Sequence, residues 1–175
     1  RLSQLIDALL GYSRLSRVAM EVRELDFSET ASRIAEEIRE AKAESVDVWV
    51  EPGLSIRADP ELLEILLANL LSNAFKFTSR TANPRIEVGK VGDEFFVRDN
   101  GAGFDPAFSQ RLFRAFERLH NEREFPGTGI GLASVERIVA RHRGSVRAES
   151  APGEGATFYF RLEGGTQGEG SGAVA

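Results

Sequence analysis

The chain has 175 residues, of which 42% are hydrophobic and 28% are charged, and its formal net charge is -5. This length allows one domain with a short appendage, and the composition is typical of a globular protein with its own core. The absence of cysteine excludes disulfides and thiolate metal sites, and the acidic balance argues against nucleic-acid binding. No apolar run reaches membrane-spanning length and no secretory signal opens the sequence, so we expect a cytoplasmic location without membrane contact.

The first twenty residues predict an amphipathic helix. Its apolar residues recur at alternating spacings of three and four: Leu2, Leu5, Leu9 and Tyr12. Such a stripe fits a helix lying on its own domain, or one helix of a bundle whose partners are missing, and the abrupt start of the chain favours the bundle. Around residues 18–25 the pattern gives way to charges, which predicts a linker.

The next segments predict a helix, two strands and a second helix. Residues 27–43 have a helical rhythm with Ser28 as the expected cap, and 46–50 and 54–58 alternate like strands. The second helix begins at Asp59, a capping carboxylate followed by proline. It is apolar over most of its circumference, so we expect it to be deeply buried.

The remaining chain completes an α/β sandwich, a mixed and mostly antiparallel sheet with helices on one face. Further strands are expected at 85–91, 94–98, 145–149 and 157–162, with a hairpin turn at Gly92-Asp93 and a helix at 131–143. The glycine-rich tail should be disordered.

Two asparagines on the helix that begins at Asp59 are the first candidate site. Asn69 and Asn73 share one helical face, and carboxamides on an otherwise apolar helix are costly unless something binds them. Their oxygens suit Mg²⁺, which completes its shell with water and nucleotide phosphates. The alternative is that both hydrogen-bond to neighbouring backbone, which is the more common outcome for an isolated pair.

Two glycine-bearing turns follow. Asp99 to Gly103 comes directly after a strand, where a carboxylate can accept a hydrogen bond from an exocyclic amine and glycine lets backbone approach a flat base. An ordinary Asp-Asn-Gly turn is the alternative. Gly127 to Gly131 opens a helix whose N-terminus presents unpaired amides to phosphate. Its spacing matches neither the dinucleotide-binding nor the P-loop pattern.

About two dozen residues separate these turns, a length typical of an active-site lid. The alternatives are a lid whose arginines meet phosphate charge, or a loop with a small core and a solvated basic face. The stretch contains Phe108, Phe113, Phe116 and Phe125 among Arg111, Arg114, Arg118 and Arg123.

In this order the motifs resemble the four boxes of the catalytic and ATP-binding domain of sensor histidine kinases. That domain has the Bergerat fold, which gyrase, the heat-shock chaperone Hsp90 and the mismatch-repair protein MutL share. The N box is Asn69 to Phe77, the G1 box Asp99 to Gly103, the F box Phe113 to Phe116 and the G2 box Gly127 to Gly131. The resemblance covers about residues 25–163. It implies a protein-histidine kinase of two-component signalling, with ATP and Mg²⁺ as cofactors.

The resemblance also implies a role for each matching residue. Asn73 would be the principal magnesium ligand with Asn69 assisting, and Lys76 would touch phosphate as part of the catalytic set. Asp99 would bind the adenine amino group. The nucleotide-binding set so implied is Asp99, Gly101, Gly103, Phe116, Arg118, Gly127, Thr128, Gly129, Gly131 and Leu132.

Position 69 discriminates within this superfamily. The ATP-hydrolysing members, and similar serine kinases, place a glutamate there as a general base. Asn69 cannot take a proton at neutral pH. A histidine acceptor carries its own nucleophilic nitrogen and needs such a base less, so Asn69 favours transfer to histidine over an ATPase clamp.

The resemblance predicts three parts of the chain. Residues 1–20 would be the second helix of the dimerisation and phosphoacceptor hairpin, 21–164 the catalytic domain and 165–175 a disordered tail. The first helix, with the acceptor histidine, is absent; His120 lies in the lid region and His142 reads as structural. The implied partners are the helical bundle of the same kinase, a response regulator and a second copy in the intact parent.

Some details refine the resemblance. Residues 118–120, with Glu124-Phe125, are similar to the lids of phytochrome-type kinases, which indicates a red-light sensor upstream. Phe77 and Phe125 stand where tyrosine is common, and Arg143 stands where the family often has glycine. The alternative function is a nucleotide-sensing module of a phosphatase-dominant sensor that acts on a phosphorylated response regulator.

Overall fold

The computed structural model describes residues 19–42, 45–115, 125 and 127–163. Several expectations fall outside these ranges: nearly all of the N-terminal helix, the lid residues Phe116, Arg118 and His120, and the tail. The described part of the chain contains three longer helices and seven strands. None of these helices is long and apolar enough to cross a membrane.

A five-stranded mixed sheet is the base of the domain. In spatial order its strands are β2 (Asp47–Val50), β4 (Arg85–Val91), β5 (Glu94–Asp99), β7 (Ala156–Arg161) and β6 (Ser145–Ser150). β2 runs parallel to β4, and the other neighbours are antiparallel. Gly92, with a φ of 61°, and Asp93 form the hairpin turn between β4 and β5, as the sequence predicts.

The helices α1 (Phe27–Lys42), α2 (Pro60–Thr78) and α3 (Gly131–Arg141) cover one face of this sheet. α2 is the central helix, packed against α1, α3 and the sheet. Its leucines occupy most of the helix circumference and are buried: Leu62, Leu63, Leu66, Leu67, Leu70 and Leu71. The predicted sandwich with helices on one face is therefore confirmed.

A second, two-stranded sheet was not predicted. β1 (Arg23–Asp26) pairs antiparallel with β3 (Ser55–Ala58), where the sequence indicated a linker through residue 25. Because β1 is a short strand paired on one side only, three of its four residues remain exposed. Charged side chains are tolerated there, so no hydrophobic alternation marks the strand.

The helix caps show one confirmed and one wrong prediction. Asp59 caps α2, since its Oδ1 accepts a hydrogen bond from the Leu62 amide at 3.1 Å. Ser28 does not cap α1, because the helix starts one residue earlier and the Asp26 carboxylate accepts from the Glu29 amide at 2.8 Å. The Ser28 hydroxyl instead donates to a main-chain carbonyl at the end of β2.

His142 is a buried structural residue, as the sequence predicts. Its Nε2 accepts a hydrogen bond from the Asp59 amide at 3.1 Å, and its Nδ1 donates to the Ile138 carbonyl at 2.8 Å. The ring is therefore neutral, and burial lowers the pKa of His142. This contact joins the end of α3 to the start of α2, the two helices that carry the candidate site.

Candidate functional site

Three polar residues form a stripe on α2. Asn69, Asn73 and Lys76 lie at spacings of four and three, which places them on one face of the helix. All three are half-buried, whereas Leu70 and Leu71 beside them are inside the core. The polar stripe therefore sits at the border between the core and solvent.

Asn69 marks the end of the stripe that meets α3. Its Nδ2 donates to the Ile65 carbonyl one turn earlier, at 2.8 Å. Its Oδ1 lies so close to Gly131 that a Cβ on residue 131 would be 2.7 Å away. A glycine at the start of α3 thus leaves room for the Asn69 side chain, and within the described ranges the carboxamide oxygen accepts no hydrogen bond from the protein.

Asn73 differs from Asn69 in its partners. Within the described ranges its carboxamide has no hydrogen bond, although the side chain is half-buried. The alternative that both asparagines bond to backbone therefore holds for Asn69 alone. The Asn73 side chain is therefore available to bind water or a ligand, since buried polar groups usually have a hydrogen-bond partner.

Lys76 connects the stripe to the glycine turn. Its Nζ lies 4.5 Å from the centroid of the Phe77 ring and 3.3 Å from where a Cβ of Gly127 would stand. The turn from Gly127 to Gly131 consequently runs beside α2, with Lys76 at one end and Asn69 at the other.

The turn leads into α3 without a side-chain cap. Ile130 occupies the N-cap position, and the first intrahelical hydrogen bond is donated by Ser134 to the Ile130 carbonyl at 2.9 Å. The amides of the first turn have no intrahelical acceptor. Together with the helix dipole they make the end of α3 next to Asn69 attractive to an anion.

Asp99 lies at the end of β5 and is 5% exposed. Its Oδ1 accepts a hydrogen bond from the Gly101 amide at 2.9 Å. Burial raises the pKa of Asp99 to about 6, while the amides of Gly101 and Ala156 act in the opposite direction. At neutral pH the carboxylate is therefore mostly ionised, in a dry setting where it is a strong acceptor.

The turn after Asp99 is tied to the end of α2. The Ala102 amide donates to the Phe77 carbonyl at 3.1 Å, and a Cβ on Gly101 would lie 2.3 Å from that same oxygen. Gly101 is thus required for close packing. This contact brings the predicted G1 box against the N box, with Phe77 as the shared residue.

The turn between β6 and β7 supports Asp99, and sequence reasoning missed this role. A Cβ on Gly155 would lie 1.9 Å from the Asp99 carbonyl, and one on Gly103 would lie 2.1 Å from the Ala151 carbonyl. Ser150 Oγ donates to the Gly155 carbonyl at 2.6 Å. The Pro-Gly-Glu-Gly sequence signalled only a turn, because the long-range packing partner is not visible in the local pattern.

The described parts of the lid region are held by aromatic contacts. Phe113 is buried and meets Phe158 edge-on, with ring centroids 6.4 Å apart. Phe125, 7% exposed, packs on Phe77 with centroids 5.0 Å apart. Phe116 and Arg118 lie outside the described residues, so their proposed nucleotide contacts stay predictions.

A cavity of about 370 Å³ opens on the other face of the sheet. Its walls include Glu87, Arg98 and Thr157, which alternate along their strands with core residues and so point away from the helices. It contains none of the α2 stripe and no part of the turn at 127–131. Asp99 and Gly155 also line it, so the cavity adjoins the Asp99 end of the candidate site.

The site as assembled combines oxygen ligands, an ammonium group and free helix amides. Such a set can bind an anion and an oxygen-seeking cation together. No cluster of three or more His, Cys, Asp or Glu residues able to hold a metal occurs in the part of the chain that the structure describes. A cation here would therefore depend on carboxamide oxygens and on oxygens of the bound anion.

Comparison with known proteins supports this reading. The family model described as "Histidine kinase-, DNA gyrase B-, and HSP90-like ATPase" matches residues 58–166. Cyanobacterial phytochrome A of Nostoc sp. is 40% identical over 90% of this chain, and sensor-like histidine kinase SenX3 of Mycolicibacterium smegmatis is 33% identical over 93%. The chain spans 21% of the length of the first relative and 44% of the second.

Solved structures show the same fold. The crystal structure of full-length ShkA in complex with AMPPNP superposes with a TM-score of 0.75 at 28% identity, covering 93% of this chain and 35% of ShkA. The mycobacterial sensor histidine kinase MprB gives a TM-score of 0.67 at 26% identity, covering 81% of this chain and 97% of that structure.

Proposed function

This chain belongs to the family of histidine kinase-, DNA gyrase B- and HSP90-like ATPases, and from that premise we propose that it binds ATP with Mg²⁺ and donates the γ-phosphoryl group to a histidine on a separate helical-bundle domain. In that reaction the bond between the γ-phosphorus and the bridging oxygen breaks, a phosphorus–nitrogen bond to the imidazole forms, and ADP leaves. The single observation that carries the proposal is Asn73, a half-buried carboxamide without a protein partner in the described ranges, between Asn69 and Lys76.

The two ends of the site fit two parts of the nucleotide. The Asp99 carboxylate, buried and held by the Gly101 amide, is suited to accept a hydrogen bond from the adenine amino group. The turn at 127–131 and the free amides of α3 suit the phosphates, with Lys76 beside Gly127. Catalysis would then consist mainly of positioning and charge neutralisation.

The donor set fits Mg²⁺. Carboxamide oxygens are hard ligands, and Asn73, with Asn69 Oδ1 nearby, offers them where the phosphates would lie. When bound, the ion would neutralise phosphate charge as the leaving group develops. Because Asn69 cannot act as a general base, the geometry favours a histidine acceptor over water.

The partners belong to the proposal as well. The acceptor would be the helical bundle of the same kinase, with a response regulator downstream and a homodimer in the intact parent. The likeness to cyanobacterial phytochromes supports a light-sensing parent, and a cytoplasmic location agrees with the absence of cysteine.

The test is Asn73→Ala in the complete kinase, with phosphohistidine formation as the readout. We expect labelling to be abolished because the main metal ligand is lost. Asn83→Ala is the matched control: Asn83 is exposed, and its main-chain carbonyl, which the substitution keeps, accepts a hydrogen bond from the Asn100 side chain. Normal labelling of Asn73→Ala would refute the assignment.

A further inference from the structure

The end of α2 carries a cluster of aromatic and cationic side chains. The Arg80 guanidinium carbon lies 5.4 Å from the centroid of the Phe125 ring, and the same ring packs on Phe77 at 5.0 Å. Phe125 is almost completely buried, whereas Arg80 is exposed. The Phe125 ring is therefore in contact with one aromatic and one cationic side chain from the end of α2.

Arg80 differs from the arginines of the described ranges that are held by carboxylates. Arg33, Arg85, Arg98, Arg147 and Arg161 all take part in ion pairs. Arg80 has no carboxylate partner in the part of the chain that the structure describes, and its guanidinium instead lies on the Phe125 ring. A cation near a helix C-terminus is favoured by the dipole, but the dipole alone does not place it over a ring from another segment.

Phe125 stands two residues before the glycine turn. Gly127 lies beside Lys76 Nζ, so the place of Phe125 determines where the turn at 127–131 starts relative to α2. A contact that holds Phe125 against α2 therefore holds the phosphate-binding turn next to Lys76 as well.

We infer that Arg80 is a positioning residue for the nucleotide site. Its guanidinium lies over the Phe125 ring and keeps the start of the turn at 127–131 against the end of α2, without contacting the nucleotide. This rests on the proposed nucleotide-binding function. Because the effect depends on the flat fork and its weak hydration, lysine at position 80 does not replace arginine.

The test is calorimetric titration of the whole chain with AMPPNP and with ADP. Arg80→Ala is expected to weaken both nucleotides about two- to fivefold, which corresponds to the range for an exposed cation–π contact. Arg80→Lys should show a similar loss. Arg57→Ala, in β3 before the start of α2, is the matched control for charge and should bind normally, since α2 alone is about 28 Å long.

A double-mutant cycle identifies the route of the effect. Phe125→Leu keeps apolar bulk but removes the ring, so adding Arg80→Ala to it should cause no further loss of affinity. The same thermal midpoint in all variants would show that the loss is not unfolding.

The outcomes separate the two proposals. Failure of the folded wild-type chain to bind AMPPNP would overturn the nucleotide-binding function and this inference with it. Wild-type binding with unchanged affinity in Arg80→Ala would overturn the inference alone. A loss that is larger for AMPPNP than for ADP and persists beside Phe125→Leu would also overturn it, because Arg80 would then contact phosphate directly.

Discussion

Replacing Asp99 with asparagine should stabilise the fold at neutral pH while it destroys nucleotide binding. Burial raises the pKa of Asp99 from 3.8 to about 6. Between these two values the unfolded chain releases the proton while the folded chain retains it, so the free energy of unfolding falls as pH rises. Above about pH 7 the cost of the buried carboxylate is complete, and two pKa units correspond to about 3 kcal/mol.

The asparagine side chain is neutral at every pH, so the variant does not incur the free-energy cost of burying a carboxylate. Its Oδ1 can still accept from the Gly101 amide, but the variant has one acceptor oxygen where the carboxylate, which also interacts with the Ala156 amide, has two. Losing that interaction costs about 1 kcal/mol at all pH values. We therefore expect Asp99→Asn to be about 1 kcal/mol less stable than wild type near pH 4 and about 2 kcal/mol more stable above pH 7.

Urea unfolding followed by circular dichroism at pH 4, 5, 6, 7 and 8 measures this difference. Asp105→Asn is the control, since Asp105 is exposed and accepts from a backbone amide two residues on, as Asp99 does. The difference in unfolding free energy between Asp105→Asn and wild type should keep the same sign across the pH series. A constant stability difference between Asp99→Asn and wild type across the series would refute the reasoning, because it would mean that the carboxylate is not desolvated.

Two further predictions concern glycine. Arg143 has a φ of 55°, a left-handed conformation that costs a non-glycine residue about 1–2 kcal/mol. Because glycine also increases the entropy of the unfolded chain, Arg143→Gly should raise the free energy of unfolding by only about 0.5–1 kcal/mol. An unchanged or lower thermal midpoint would contradict this. Gly131→Ala would place a Cβ 2.7 Å from Asn69 Oδ1 and displace that side chain, so AMPPNP affinity should fall about tenfold while stability changes by less than about 1 kcal/mol. Equal affinity in Gly131→Ala and wild type would show that Asn69 does not contribute to the site.

Local chemistry made part of the fold predictable. Asp59 followed by proline indicates a helix start because the cap is made within three residues, and the apolar circumference of α2 reveals its central place. β1 was missed because an exposed edge strand does not need hydrophobic alternation. The Ser28 cap was wrong because Asp26, two residues earlier, satisfies the same amides.

The candidate site was also predictable only in part. Asn69, Asn73 and Asp99 could be selected because polar groups on apolar elements stand out in the sequence. The sequence could not predict that Asn69 bonds to the Ile65 carbonyl or that Asp99 is desolvated, because both depend on packing. The supports at Gly155 and Arg80 were invisible because each acts on a residue far away in the chain.

Calorimetric titration of the chain with AMPPNP, with and without Mg²⁺, tests the central claim most directly. We expect binding that weakens when Mg²⁺ is removed, that no longer depends on Mg²⁺ in Asn73→Ala, and that is lost in Asp99→Asn. Absence of binding in a sample that circular dichroism shows to be folded would contradict the account, as would binding that is equally strong without Mg²⁺.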